Sequence, residues 1–323
     1  MPLFTKRKRR ALRVFFTTDI HGSDRCFRKF LAGAGAYEAD VLLLGGDVVG
    51  KAMTPVEQLG GGRYRYTLFG QPHEVAEQDL EQAKAAINFN GFYPAILDPH
   101  SVERMHEDED FRHEHFVGLI AEQMRAWEAL VSERVPGHVR CVLTPGNDDP
   151  LIVDEVFRDS ERVEFTEGRT VELGPVWLAS LGNTNHTPWN TEREFDEDVL
   201  STQIDAMVAP FADGRPLVFN FHCPPYDSGL DMAPELDENL RPVTRNNAIV
   251  EIPVGSTAVR DAILRYSPVA GLHGHIHEAQ GMRMIGNSRC FNPGSDYSAG
   301  VLKGLIVDFA ENGEITGHLF TAG

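Results

Sequence analysis

The sequence contains no stretch that could cross a membrane, because no run approaches the roughly eighteen uninterrupted apolar residues of a spanning helix. It also has no internal repeat and no low-complexity tract. Its 323 residues are 42% hydrophobic and 24% charged, which is ordinary globular usage. Membrane-spanning, fibrous and disordered classes are therefore excluded, and we expect a single domain over residues 1–323 with a substantial core.

Cysteine is scarce, and no Cys-x-x-Cys pair occurs. Cys26, Cys141, Cys223 and Cys290 are far apart, and each lies in or beside an apolar run. This distribution predicts buried, reduced thiols rather than a disulfide or zinc framework. The start of the chain lacks the apolar segment and small-residue cleavage site of a secretory signal. We therefore expect a cytoplasmic location.

Basic residues are also few, with 30 Lys and Arg against 48 Asp and Glu and a net charge of -18. Six of the basic residues lie between Lys6 and Arg13, so residues 14–323 carry 24 basic against 48 acidic residues. The basic run could be a nucleic-acid arm, but a solvated flank before the first strand is favoured. Because so acidic a body repels polyanions, nucleic acid is disfavoured as a partner.

Apolar runs and helical periodicities alternate along the chain, which predicts a layered α/β sandwich. The predicted strands are 12–18, 41–45, 139–144, 175–181, 216–222, 267–272, 281–286, 288–292, 302–309 and 315–320. The predicted helices are 24–37, 74–88, 114–134, 192–208 and 256–266. Each strand run ends in a polar loop, as expected of strands buried within a sheet.

Residues 50–135 form a long interval between two predicted strands, and we interpret them as an inserted, cap-like segment. The interval contains a glycine-rich piece at 60–62, aromatic residues and helical patterns. Its acidic cluster 107–110 lies among three histidines, His106, His113 and His115. A metal site is one interpretation of that cluster, but a solvated helix face is favoured.

Polar side chains stand at or just beyond the carboxyl ends of five predicted strands, which is where open α/β sheets place their ligands. They are Asp19, His21, Asp47, Asn147, His222, His275 and His277. Two carboxylates, four imidazoles and an amide oxygen suit divalent Mn, Fe, Zn, Ni or Co. Seven ligands exceed the needs of one tetrahedral site, so the set predicts two metal ions.

In chain order these residues resemble the five-block signature of the calcineurin-like metallophosphoesterase superfamily. The blocks are Asp19-Ile20-His21, Gly46-Asp47, Gly146-Asn147-Asp148-Asp149, His222 and Gly274-His275-Ile276-His277, and Asn292-Pro293-Gly294-Ser295 resembles a turn common in bacterial and archaeal members. The resemblance implies a four-layer αββα sandwich, with 50–135 as a helical insertion after the second strand. It covers most of the chain outside that insertion.

The resemblance also implies how the two metals are held. One metal would be held by Asp19, His21, Asp47 and His277, and the other by Asp47, Asn147, His222 and His275. The bridging position of Asp47 is reasonable because two cations about 4 Å apart repel unless an anionic ligand lies between them. In the family a metal-bridging hydroxide attacks the phosphorus of a phosphate ester.

Two positions depart from the family pattern. Many members have a His in the third block as proton donor and an Asp at the end of a Gly-Asp-x-x-Asp second block, where this chain has Asp148 and Gly50. Three explanations remain open: Asp148 with a raised pKa is the acid, a loop histidine such as His186 serves, or the leaving group needs little help. Trp189 is either a substrate platform or a loop anchor.

His273 alternates with two block histidines but belongs to no block, so it either orients a ligand or packs in the core. For the whole chain the sequence predicts a dinuclear-metal phosphoesterase acting on a small-molecule phosphodiester. Two divalent metals with Asp19 and Asp47 leave a locally positive site, which a phosphate ester can enter. The alternatives are a phosphomonoesterase, a nuclease of the same fold, or a non-catalytic interaction scaffold. The oligomeric state is not predicted.

Overall fold

The computed structural model describes residues 10–323. Most of the basic run predicted as a solvated flank, residues 6–9, lies outside the described residues. Within the described part of the chain, no helix combines the length and apolar character needed to cross a membrane.

Twenty strands and seven α-helices form the described structure, together with three short 3-10 helices. The strands are β1 (Arg10–Thr17), β2 (Val41–Gly45), β3 (Ala52–Gly60), β4 (Arg63–Leu68), β5 (Gln71–Ala76), β6 (Phe92–Leu97), β7 (Arg140–Thr144), β8 (Val163–Phe165), β9 (Arg169–Leu173), β10 (Val176–Leu181), β11 (Leu217–Phe221), β12 (Met232–Pro234), β13 (Thr244–Arg245), β14 (Ala248–Ile249), β15 (Glu251–Pro253), β16 (Ala270–Leu272), β17 (Gly281–Ile285), β18 (Ser288–Asn292), β19 (Lys303–Ala310) and β20 (Ile315–Ala322). The helices are α1 (Asp24–Ala36), α2 (Leu80–Phe89), α3 (Pro99–Glu107), α4 (Glu109–Arg134), α5 (Ile152–Phe157), α6 (Glu197–Val208) and α7 (Thr257–Tyr266).

Two six-stranded sheets face each other at the centre of the molecule. The first has the order β20-β19-β1-β2-β7-β8 and the second the order β17-β18-β16-β11-β10-β9. Alternate side chains of their strands, including Phe16, Leu43, Val218 and Phe291, form one buried cluster between the sheets. Strands β1, β2 and β7 run parallel, as do β10, β11, β16 and β18, so several carboxyl ends reach one edge.

Helices cover the outer face of each sheet. The opposite face of the first sheet packs against α1, α4 and α5, where the rings of Phe27 and Trp127 stack with centroids 4.0 Å apart. The outer face of the second sheet packs against α6 and α7 through residues such as Phe219 and Ile263. The predicted four-layer αββα sandwich is therefore confirmed.

The insertion differs from the sequence prediction because it is not only helical. It begins with a four-stranded sheet in the order β5-β4-β3-β6, and only then do α3 and α4 follow. The glycine-rich piece is the hairpin turn between β3 and β4, where Gly60, Gly61 and Gly62 all have positive φ. Glycine enters that backbone region without steric cost. The predicted helix 74–88 accordingly starts late, at Leu80, because Gln71–Ala76 is strand β5.

The expectations for the cysteines and for the acidic cluster 107–110 agree with the structure. All four cysteines are buried free thiols, and burial raises the pKa of Cys141 to about 12. In the acidic cluster, Asp108 accepts the backbone N–H of Phe111 and caps α4. His106 and His113 are exposed, as a solvated helix face requires.

Candidate metal centre

The polar residues of the five sequence blocks lie in loops that begin where neighbouring strands end. Asp19 and His21 follow β1, Asp47 follows β2, and Asn147 follows β7. In the second sheet His222 follows β11, and the pair His275 and His277 follows β16. Because these parallel strands all point to the same edge of the sandwich, their loops converge.

The first group of side chains consists of Asp19, His21, Asp47 and His277, whose potential ligand atoms all lie within 4.8 Å of one another. Nε2 of His21 is 3.1 Å from Nε2 of His277. Oδ1 of Asp19 is 3.4 Å from Nε2 of His277, and Oδ2 of Asp47 is 3.6 Å from Nε2 of His21. Two imidazole nitrogens and two carboxylates thus converge on one point.

A second group shares Asp47 with the first and adds His222 and His275, again with ligand atoms within 4.8 Å. Nε2 of His222 lies 3.2 Å from Oδ1 of Asp47. Its other nitrogen, Nδ1, is 3.1 Å from the carbonyl oxygen of Gly45, so Nδ1 carries the proton when the ring is neutral. Nε2 is then the free lone pair, and it faces the shared carboxylate.

Two buried atoms at the second group fit a metal ion, because neither makes a hydrogen bond. They are Nε2 of His222 and, beside the group, Oδ1 of Asn147. Buried polar atoms are normally paired, so an unpaired nitrogen and an unpaired amide oxygen beside a carboxylate fit a cation-binding role. The residues therefore fit two divalent ions, with Asp47 common to both groups.

The backbone is strained at four of these residues. Asp19 (φ 54°), His21 (φ 40°), Asp47 (φ 48°) and His275 (φ 66°) all lie in the left-handed region. Each such residue costs on the order of 1–3 kcal/mol and persists only where the surroundings impose it. Four strained residues in one cluster indicate that folding fixes their side chains at the site.

Hydrogen bonds from neighbouring loops impose these conformations. The backbone N–H of His275 donates to both carboxylate oxygens of Asp19, at 3.1 Å each. Oγ of Ser295 donates to the carbonyl oxygen of Asp19 at 2.6 Å. Nδ2 of Asn292 donates to the carbonyl oxygens of Gly274 and Ile276 at 3.1 and 3.0 Å. The Asn-Pro-Gly-Ser turn thus holds the first and last blocks together.

The pKa values of the site follow from burial and from the two carboxylates. Burial lowers the pKa of His21 to about 3 and that of His275 to about 4, so both are neutral, as metal binding requires. Burial opposes ionisation of Asp19 also, but hydrogen bonding to His277 and the charge of His222 lower its pKa to about 2. The pKa of Asp47 lies well below its ordinary value because His222 outweighs burial.

His222 shows the opposite shift. Burial disfavours its charge, but the carboxylates of Asp47 and Asp19 outweigh burial and raise its pKa to about 10. Without metals, the anionic site therefore draws a proton to His222. A cation bound at Asp47 would supply the same charge and release that proton.

Asp148 lies beside the first group, and its carboxylate contacts a cation. Oδ2 of Asp148 is 2.9 Å from Nζ of Lys51 and 3.9 Å from Nδ1 of His21. Burial and the neighbouring Asp47 raise the pKa of Asp148, while Lys51 lowers it, and the net direction is upward. Its backbone N–H also donates to Oδ1 of Asp47 at 3.0 Å.

Gly50 has no room for a side chain. A Cβ atom there would collide with the carbonyl oxygen of Gly91 and lie 2.9 Å from the ring of Tyr93. The hydroxyl of Tyr93 in turn accepts the backbone N–H of Gly50 at 2.8 Å. Gly91 and Tyr93 of the insertion thus occupy the space that a side chain at position 50 would need.

The structure pairs His186 with carboxylates of its own loop and the start of α6. Its Nε2 is 3.0 Å from Oδ1 of Asp196, and its Nδ1 is 4.0 Å from Glu194. Both of these partners lie outside the set of predicted metal ligands. The same loop does touch the site at Thr191, whose Oγ1 is 3.3 Å from Nδ2 of Asn147.

Trp189 and His273 have contrasting surroundings. Trp189 is 63% exposed on this loop. His273 is fully buried, and its Nδ1 lies 2.8 Å from the carbonyl oxygen of Phe221 and 3.1 Å from that of Cys223. His273 therefore packs in the core and braces the backbone on both sides of His222.

Sequence reasoning missed two residues at this site, Lys51 and Tyr297. The ring of Tyr297 packs against His21 with centroids 4.6 Å apart and meets the His277 ring edge-on at 5.9 Å. Tyr297 follows the Asn-Pro-Gly-Ser turn, and Lys51 follows Gly50 directly. Their closeness to recognised blocks was the only available signal.

Comparisons with known proteins support the fold. No family model matches the sequence. The uncharacterised protein MJ1162 of Methanocaldococcus jannaschii is 27% identical over 158 residues, which cover 48% of this chain. The match spans 63% of that relative's own length.

Solved structures match over nearly the whole chain. The protein TT1561 of Thermus thermophilus is 16% identical, covers 96% of this chain and 98% of its own, and superposes with a TM-score of 0.54. An archaeal phosphodiesterase covers the same share of this chain, with 11% identity and a TM-score of 0.38. The chain therefore has the layered α/β sandwich fold that it shares with TT1561.

Proposed function

We propose that this protein is a two-metal phosphoesterase that hydrolyses a small phosphate ester, with a preference for a diester. The observation that carries the proposal is the pair of ligand groups that share Asp47, with unpaired buried atoms at the second group. In this proposal the sandwich and its insertion act as one domain. Asn147, the predicted ligand that belongs to neither group, would bind the second metal.

The residues of the site supply position and charge. Asp47 would stand between two cations and offset their repulsion. The other ligands would hold those cations at fixed places relative to the substrate, so that little reorganisation is needed during the reaction. When bound, the metals supply Lewis-acid charge for the phosphate oxygens and a water nucleophile of lowered pKa.

A diester is favoured because of charge. The chain carries a net charge of -18, which disfavours polyanions and, more weakly, a doubly charged monoester. A diester carries a single negative charge and suits a small, locally positive site within an acidic body. The same charge argument weighs against a nuclease.

The proton for the leaving group could come from Asp148, or the leaving group could depart without one. His186 is a weaker candidate, because its imidazole is paired with Asp196 and Glu194. A leaving group of low pKa needs no acid, so the donor matters most for poor leaving groups.

The proposal is tested with paired aryl phosphate monoester and diester substrates and added Mn²⁺. We expect hydrolysis of both, with higher kcat/KM for the diester, and loss of activity on chelation and in Asp47→Asn. Faster turnover of the monoester would reverse the diester preference. If neither substrate reacts and the protein, purified without chelator, contains no metal, the non-catalytic scaffold is the correct alternative.

A further inference from the structure

We propose that Lys51 is a catalytic residue whose ammonium group contacts a phosphoryl oxygen of the substrate and is held in place by Asp148. This inference rests on the proposed phosphoesterase function. It names a protein side chain that would carry positive charge next to the substrate phosphate, in addition to the metals. The sequence blocks supply no such side chain at Gly50 or Asp148.

The position of Lys51 is the first argument. Nζ of Lys51 and Nδ1 of His21 approach the same oxygen, Oδ2 of Asp148, at 2.9 and 3.9 Å. Because both nitrogens contact this one oxygen, the ammonium of Lys51 lies close to His21, which is a predicted metal ligand. Within residues 10–323, the other ion pairs of lysine and arginine involve carboxylates outside the five blocks. The pair between Lys51 and Asp148 is the one that involves a block carboxylate.

Accessibility is the second argument. The Lys51 side chain is 48% exposed, whereas the side chains of His21 and Asp47 are buried. Solvent therefore reaches part of the Lys51 side chain, while Asp148 holds its ammonium. Burial opposes the charge of Lys51, but Asp148 and Asp47 outweigh it and raise its pKa, so the group stays cationic.

The third argument is the exchange of charges relative to the family pattern. There, the residue at the position of Asp148 is a histidine, and its partner at the position of Gly50 is an aspartate. Here the third block supplies the anion, Asp148, and the second-block loop supplies the cation, Lys51. An ion pair therefore persists at this place with its polarity reversed, and Asp148 becomes a positioning residue for Lys51.

A fixed ammonium beside a phosphoryl oxygen has a measurable effect. Charge-assisted hydrogen bonds to phosphate are among the stronger polar contacts in proteins. Removing one should weaken the binding of inorganic phosphate, and lower kcat/KM, by about 10- to 100-fold. Because the contact is to the phosphoryl group, the loss should be similar for good and poor leaving groups.

The test compares Lys51→Met, Lys51→Arg and Asp148→Asn with the wild type, all loaded with Mn²⁺. Inorganic phosphate binding is measured by calorimetry, and kcat and KM are measured with two aryl diesters whose leaving groups differ in pKa. Lys84→Met is the matched control, since Lys84 pairs with Glu81 on α2. Bound metal is measured in every variant.

We expect Lys51→Met to keep its metals and lose phosphate affinity and kcat/KM, while Lys51→Arg restores most of both and Lys84→Met changes neither. Asp148→Asn should raise KM more than it lowers kcat. Phosphate affinity in Lys51→Met within twofold of the wild type overturns the inference, as does a loss confined to the poor leaving group. A wild type that binds phosphate through Lys51 but hydrolyses neither diester refutes the proposed function and the catalytic role of Lys51, and it leaves only the contact between Lys51 and the phosphoryl oxygen.

Discussion

The carboxylate of Asp149 accepts the backbone N–H of Val48 with both oxygens, at 2.9 and 3.0 Å. It also accepts the backbone N–H groups of Val49 at 2.8 Å and Gly146 at 2.7 Å. One buried side chain thus ties the loop that carries Asp47 to the loop that carries the third block. The geometry of the shared ligand depends on a residue that would touch neither metal nor substrate.

Asp149→Asn should therefore destabilise the protein although it preserves volume. The amide has one acceptor oxygen, and its NH₂ group would face backbone donors, so we expect a loss of about 1–3 kcal/mol in the free energy of unfolding. Denaturant unfolding measures this loss. Asp98→Asn is the control, because Asn is an equally good N-cap for α3 and should leave stability unchanged. Equal stability of the two variants would remove this role from Asp149.

Gly146→Ala should disrupt the metal site directly. Its Cβ would collide with Oδ1 of Asp47 and lie 2.8 Å from Nε2 of His222. Gly118 on α4 has open space around it, and Gly118→Ala should stabilise the protein by about 0.5–1 kcal/mol. We expect loss of bound metal in the first variant and normal metal content in the second. Normal metal content in Gly146→Ala would show that a Cβ at this position does not displace Asp47 or His222.

Glu167 should make stability depend on pH. Its Oε2 accepts the backbone N–H of Gly182 at 2.6 Å, and burial raises its pKa to about 7. Between the pKa of the unfolded state and about pH 7, the folded state keeps a proton that the unfolded state has lost. The protonated carboxyl therefore contributes its full stabilisation below the unfolded pKa, and this stabilisation is lost as pH rises through about 7.

Glu167→Gln tests this pH dependence because the amide keeps an acceptor for Gly182 but carries no charge. We expect the metal-free variant to match the wild type near about pH 4 and to exceed its stability by on the order of 2–3 kcal/mol near about pH 8. Thermal or denaturant unfolding across this range provides the measurement. Parallel stability curves for the two proteins would show that Glu167 does not titrate in this range.

Trp189→Ala distinguishes a substrate platform from a loop anchor. Because the ring is 63% exposed, we expect no loss of stability, but KM for an aryl diester should rise by about 2- to 10-fold through lost stacking. Leu319→Ala, at another exposed apolar side chain, is the control. A lower melting temperature with unchanged KM would instead identify Trp189 as an anchor.

The sequence predicted the sandwich well because its strands are buried on both faces and read as short apolar runs. Val41–Gly45, for example, is observed with the predicted bounds. The sheet of the insertion was missed because its strands are polar and partly exposed, as in Gln71–Ala76. Short helices such as Ile152–Phe157 contain too few turns to show a period.

At the candidate site, the sequence predicted which side chains would meet, since strand ends and block order are both visible in it. It could not predict the pairing of Lys51 with Asp148, because that contact joins loops nearly a hundred residues apart. Nor could it explain Gly50, whose missing side chain follows from the packing of Gly91 and Tyr93 in the insertion. Nor could it predict the left-handed backbone of Asp19 and Asp47, because Asp enters that region more often than most residues but still only in a minority of cases.

The most direct test of a two-metal site centred on Asp47 is the number of metal ions bound per chain. Wild-type protein and Asp47→Asn are saturated with Mn²⁺, freed of excess metal, and measured by elemental analysis. The account predicts two ions per chain in the wild type and at most one in the variant. A wild type that retains one ion or none, or an Asp47→Asn protein that still retains two, would contradict it.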